Sequence, residues 1–100
     1  MPPQLDIDRD RIAAFCEKWK ITEFALFGSV LRDDFGPDSD VDVLVTFAAD
    51  AEWSLFDVVD MQEELAEMFG RHVDLVDRRA LKNPFRRHHI LTHHEVIHAG

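Results

Sequence analysis

Asp40 and Asp42 stand one residue apart at the head of the run Val41 to Phe47, in which apolar side chains alternate. Residues two apart on a strand project from the same face, about 6.6 to 6.8 Å from each other. The two carboxylates therefore converge on one site if the strand starts near Asp40. Withdrawing a carboxylate from water without a partner costs roughly several kcal/mol, so the pair calls for a bound cation. Carboxylate oxygens are hard ligands suited to Mg²⁺. Two Mg²⁺ ions about 3.5 to 4 Å apart clamp the attacking and leaving oxygens of an in-line phosphoryl or nucleotidyl displacement. A third carboxylate on a neighbouring strand would complete the cage. Asp74, an acid set between apolar neighbours in HVDLV, is the candidate, with Asp77 as its substitute.

Gly28-Ser29, ten residues upstream of the Asp pair, suits the phosphate end of the same site. Glycine lets a backbone approach a ligand closely, and N-H groups at a helix start, together with the Ser29 hydroxyl, can cradle a triphosphate. Arg32, one turn later, is placed to reach a phosphate oxygen. Neither GxxxxGK[ST] nor GxGxxG occurs in the chain, so the nucleotide site is of another kind than a P-loop.

The elements that must position these residues read as follows. Asp8 caps a first amphipathic helix near residues 9–20, whose apolar side is Ile12, Phe15, Cys16 and Trp19. Glu23 to Phe27 form a short buried strand that stops at Gly28, and Ser29 to Asp34 a short helix broken by Gly36-Pro37. VDVLVTF is the clearest strand: Val41, Val43, Val45 and Phe47 take one face, Asp42, Leu44 and Thr46 the other. Ser54 caps a helix over about 55–69 with the stripe Leu55, Val58, Val59, Leu65 and Phe69, stopped by Gly70. HVDLV is a third strand. Asn83-Pro84 starts a last helix running to about Ala99. Trp19, Trp53 and Phe69 are expected at the core or its boundary.

The chain has 100 residues with 46% hydrophobic content, which suits one small domain spanning residues 1–100. Its net charge of −9 argues against a nucleic-acid partner, because phosphate backbones are gripped by Lys and Arg clusters. The charge is uneven. Residues 1–70 carry 17 acids and 5 bases, net −12, and residues 71–100 carry 3 acids and 6 bases, net +3, with all six histidines. Cys16 alone gives neither a disulfide framework nor a four-thiolate zinc site, which fits a reducing cytoplasm. No run approaches the roughly 20 apolar residues of a membrane span, and the start MPPQLDIDRD lacks the pattern of a signal peptide. The expectation is a soluble, unprocessed, cytoplasmic protein.

Two other motifs compete for attention. Asp38, Asp40 and Asp42 match positions 1, 3 and 5 of a calcium loop, but Val43 stands where that loop needs Gly and Ala49 where it needs Glu. His94 to His98 spell HExxH, the zinc-protease signature, with only Ala99 and Gly100 after it and so no later third ligand. Incidental Zn²⁺ or Ni²⁺ binding by pairs such as His89 and His93 is one alternative, and the better reading of His88 to His98 is a helix face whose charge varies near neutral pH.

Gly28-Ser29, ten residues, Asp40-x-Asp42 and the later Asp74 together resemble the DNA polymerase beta-like nucleotidyltransferase superfamily. At this length the chain resembles its minimal nucleotidyltransferases (MNT), the antitoxins paired with HEPN-domain toxins, over nearly its whole extent. The resemblance implies an α/β (α+β) nucleotidyltransferase fold, with a small mixed three- to four-stranded sheet flanked by about four helices. It also implies that Asp40 and Asp42 bind both Mg²⁺ ions, while Asp74 holds the catalytic one and helps activate the acceptor hydroxyl. The reaction it implies is transfer of AMP from ATP to a tyrosine hydroxyl of the cognate HEPN ribonuclease, which silences it. Larger members use an extra domain to hold the acceptor; here a partner must bring it, or it must be small. The alternatives are an idle antitoxin that neutralises by binding, and a transferase for a small hydroxylated acceptor. The run of histidines is this chain's own.

Overall fold

A computed structural model describes residues 7–31, 36 and 39–100. Helix α1 (Arg9–Lys18) leads into strand β1 (Ile21–Phe27), a 3-10 turn (Gly28–Leu31), β2 (Val41–Phe47), α2 (Leu55–Phe69) and β3 (Val73–Asp77). A second 3-10 turn (Arg78–Ala80), α3 (Pro84–Thr92) and β4 (His94–Ala99) complete the chain. The sheet order is β3-β2-β1-β4, with β2 and β3 parallel and the other pairs antiparallel. The parallel pair is joined by α2, the crossover that parallel strands require.

The local signals account for most of this. The Asp8 carboxylate accepts from the Arg11 N-H at 3.1 Å, the expected cap of α1. Ser54 and Asp57 form a capping box, and Gly70 closes α2 in the left-handed conformation, φ 69°. Ser54 lies beyond the C-terminal end of β2, away from Asp42 near its start. Ser54→Ala is therefore expected to lower stability by about 1 kcal/mol and leave chemistry at Asp42 unchanged; thermal melts alongside an activity assay check both halves.

Two expectations fail. On α2 the expected Leu65 is fully buried and Phe69 packs against the core, joined by Met61, whereas Leu55 is 77% and Val59 42% exposed. At about 100° per residue, Val59 lies roughly 200° and Leu55 roughly 240° around the helix from Met61, so neither can face the sheet with it. The last helix does not run to Ala99. It ends at Thr92, and His94–Ala99 form β4 on the free edge of β1, from Phe27↔His94 to Glu23↔Ala99. Helix and strand are near alternatives for HEVIHA locally, and the unpaired N-H and C=O groups along β1 decide for the strand. Among the described residues the fold has three α-helices on a four-stranded mixed sheet, the expected small α/β nucleotidyltransferase-type arrangement. Of the expected helix 29–34, Ser29, Val30 and Leu31 form part of a 3-10 turn, and residues 32–34 lie outside the described ones.

The core is split by the sheet. Val41, Val43, Val45 and Phe47 join Ile12, Phe15, Met61 and Leu65 on the face covered by α1 and α2. Ala25, Phe27, Leu44, Leu81 and Ile90 form a smaller cluster under α3 on the other. Trp19 and Trp53 meet edge to face at 5.2 Å on the boundary. Cys16 lies in the larger core, and burial pushes its thiol up to about 12. Because the thiolate is the reactive form, an aromatic disulfide reagent at pH 8 is expected to label Cys16 only after denaturation. Rapid labelling of the folded protein would contradict this packing.

Candidate active site

The face of β2 opposite the larger core carries Asp42, and the parallel register sets Asp42 beside Asp74. Strands so paired lie about 4.8 Å apart. The Asp42 carboxyl is held above the ordinary carboxylate range, first by burial and then by the negative charge of Asp74. A backbone hydrogen bond from Ser29 opposes this rise; the charge of Asp40 adds to it, and that of Arg86 lowers it. Four residues from four segments thus act on one carboxylate.

Gly28 and Ser29 meet this carboxylate directly. Gly28 has φ 75°, and a Cβ there would collide with the Asp42 carboxylate. Only glycine fits, by conformation and by space. The Ser29 hydroxyl donates to the Asp40 carbonyl at 3.1 Å, tying the turn after β1 to the entry of β2. Asp40 stands just ahead of β2 and pairs with His72, Nδ1 to Oδ1 3.5 Å. Arg71 donates to the carbonyls of Gly36 and Ser39 at 2.9 and 3.1 Å, which ties the start of the β3 segment to the residue just before Asp40. On β3, the Leu75 N-H donates to Gln62 Oε1 of α2 at 3.0 Å, steadying the strand beside Asp74.

Of the sequence-derived candidates, the fold brings together Asp42, Asp74, Gly28 and Ser29, with Asp40 close enough for its charge to be felt. Arg32 lies outside the described residues. Asp77, the substitute for Asp74, is in register with Val45, and its carboxylate accepts from the Arg79 N-H at 2.9 Å, a capping role. Sequence reasoning missed Arg86, Arg71 and His72; the basic balance of residues 71–100 was the available signal, without a position attached. HExxH falls on β4, where residues four apart are about 13 Å distant and cannot share an ion.

As placed, no three His, Cys, Asp or Glu side chains among the described residues enclose a cation. The donor set nevertheless fits Mg²⁺, because Asp42, Asp74 and Asp40 offer hard oxygens, and a divalent cation would stabilise the Asp42 anion that burial and then the charge of Asp74 disfavour. No helix among the described residues is long and apolar enough to cross a membrane.

The family described as Nucleotidyltransferase domain matches residues 10–97. The chain is 35% identical over 80 residues to a proposed protein adenylyltransferase of Methanocaldococcus jannaschii, covering 80% of each. It is 37% identical over 67 residues to the protein adenylyltransferase MntA of Thermococcus cleftensis, covering 67% of this chain and 66% of that one. Among solved structures, a toxin-antitoxin with AMP-PNP superposes with TM-score 0.75 at 23% identity, covering 94% of this chain and 75% of that one. A tri-AMPylated Shewanella oneidensis HEPN toxin in complex with MNT antitoxin gives TM-score 0.66 at 22% identity, covering 92% and 70%. At such identities these two establish the fold. A glycine turn packed on a strand carboxylate, a second acid in register beside it and a family match over most of the sequence lead to one conclusion: this chain belongs to the nucleotidyltransferase domain family.

Proposed function

We propose that this nucleotidyltransferase moves AMP from ATP onto a tyrosine hydroxyl of a HEPN toxin in the cytoplasm, and so serves as its antitoxin, a single domain acting on a partner-borne acceptor. The observation that carries the reading is the Asp42–Asp74 register with Gly28 packed on the Asp42 carboxylate. The relatives named as protein adenylyltransferases and the neighbour complexed with an AMPylated HEPN toxin support the choice of reaction and partner.

Asp40, Asp42 and Asp74 would hold two Mg²⁺ ions, which when bound neutralise phosphate charge and favour the ionised acceptor. The backbone of Gly28 and Ser29, with Arg32, binds the triphosphate and orients its α-phosphorus. Asp74, on the outer strand, takes the acceptor side and helps remove the hydroxyl proton. The acceptor oxygen forms a bond to the α-phosphorus as the bond to the bridging oxygen breaks, and pyrophosphate leaves with the electron pair.

Incubation with ATP, Mg²⁺ and the co-expressed HEPN partner, followed by intact mass, tests this. The partner is expected to gain the mass of AMP, with label arriving from the α-phosphate. Label arriving from the γ-phosphate would mean a kinase, and an unmodified but neutralised partner would mean inhibition by binding alone.

A further inference from the structure

A cleft of about 820 Å³ opens beside Gly28, between the first 3-10 turn, α3 and the start of β4. Its size is that of a small-molecule site. Phe27, Leu31 and Ile90 give it an apolar floor. On one wall the imidazoles of His89 and His93, one helical turn apart, stack with centroids 4.6 Å apart and planes 24° from parallel. The pair is held in place: His93 Nδ1 lies 2.9 Å from the Thr92 hydroxyl and 3.0 Å from the His89 carbonyl. His94 also lines the cleft, and its Nδ1 is buried without a hydrogen-bond partner among the described residues. Buried polar atoms are rarely left so. Arg86 lines the cleft too and extends its charge to Asp42, linking the cleft to the carboxylate site.

The sheet order says which part of the reaction this cleft serves. Asp74 lies on β3, on one side of Asp42, whereas Gly28 at the end of β1 and His94 at the start of β4 lie on the other. An in-line displacement places acceptor and leaving group on opposite sides of the phosphorus, and in the proposed mechanism Asp74 takes the acceptor side. The cleft is therefore on the nucleotide's side. An apolar floor, a flat aromatic wall and one unsatisfied ring nitrogen suit a planar heterocycle with polar edges, and suit the highly charged phosphates poorly.

Resting on the nucleotidyltransfer reading, we infer that this cleft receives the nucleoside of the substrate, its purine stacked on the His89–His93 pair and a ribose hydroxyl or ring-edge group meeting His94 Nδ1. Arg86 then bridges the nucleoside pocket and the reacting phosphate. Stacking of a base on an aromatic surface carries enough free energy to change affinity about tenfold or more per base, and purines, with the larger face, benefit most.

The test is calorimetric titration of the full chain, with Mg²⁺ present, by ATP, CTP and inorganic tripolyphosphate. Wild-type protein is expected to prefer ATP over CTP. The double variant His89→Ala/His93→Ala should weaken ATP about tenfold and leave tripolyphosphate within twofold, while His89→Phe/His93→Phe, which keeps flat rings without imidazole nitrogens, restores ATP. Equal weakening of ATP and tripolyphosphate would overturn the inference, since the histidines would then be reading phosphate charge. So would unchanged ATP affinity accompanied by slower transfer to the partner, which would put the acceptor in the cleft. A wild-type chain that binds tripolyphosphate but no nucleotide defeats the nucleotidyltransfer reading itself, a result distinct from either.

Discussion

Asp42→Asn is expected to reduce nucleotidyl transfer by a thousandfold or more while making the metal-free protein more resistant to heat. The first effect follows from the position of the carboxylate. Asp42 is the group on which Gly28, Ser29, Asp74, Asp40 and Arg86 converge, and in the proposed mechanism, where it holds metal, loss of its charge removes roughly several kcal/mol of transition-state stabilisation. The second follows from its folded-state pKa being raised, chiefly by burial and then by Asp74. A carboxyl raised in this way contributes stability only below its unfolded value, and that contribution is lost as pH rises through the folded value. At neutral pH the ionised group is a net liability to the fold, and asparagine removes the charge at nearly the same volume. Without Mg²⁺ the variant should melt higher than wild type at pH 7, and the difference should shrink toward pH 3. Added Mg²⁺ should raise the wild-type melting temperature and leave the variant's unmoved. Transfer within tenfold of wild type would remove Asp42 from the reaction.

Gly28→Ala should disable the same site by a steric route. The residue has φ 75°, so a side chain there costs about 1 to 2 kcal/mol in backbone strain, and the added Cβ runs into the Asp42 carboxylate. The carboxylate is the softer of the two and must swing away, and a misplacement of about 1 Å at a reacting centre is worth on the order of 100-fold in rate. Gly70 supplies the control. Its φ is 69°, but a Cβ there meets nothing within 4 Å. Gly70→Ala should therefore lower the melting temperature by a comparable amount, about 4 to 8 °C per kcal/mol for a domain of this size, and leave transfer near wild type. If both variants lose transfer equally, Gly28 matters only as a left-handed turn and the contact with Asp42 does not.

What the sequence alone determined is local and chemical. Alternation in Val41–Phe47 assigned Asp42 and Leu44 to one face and the valines to the other, as observed, because side-chain direction in a strand has a period of two and depends on no distant residue. Ser54 and Gly70 likewise bounded α2 through bonds within about one turn of chain. The resemblance carried by Gly28-Ser29, Asp40-x-Asp42 and the later Asp74 named the family, its first two parts lying within one short segment of chain. The tertiary structure decided everything that needed two distant segments. It paired Asp42 with Asp74 across the α2 crossover, and it turned His94–Ala99 from helix to strand because β1 had an open edge. It also brought Arg86 and the stacked histidines of α3 over the end of β1. These are contacts between residues about 30 to 76 positions apart in sequence. Their energy comes from backbone groups and apolar faces that find each other only once the chain has closed, so no local pattern could record them.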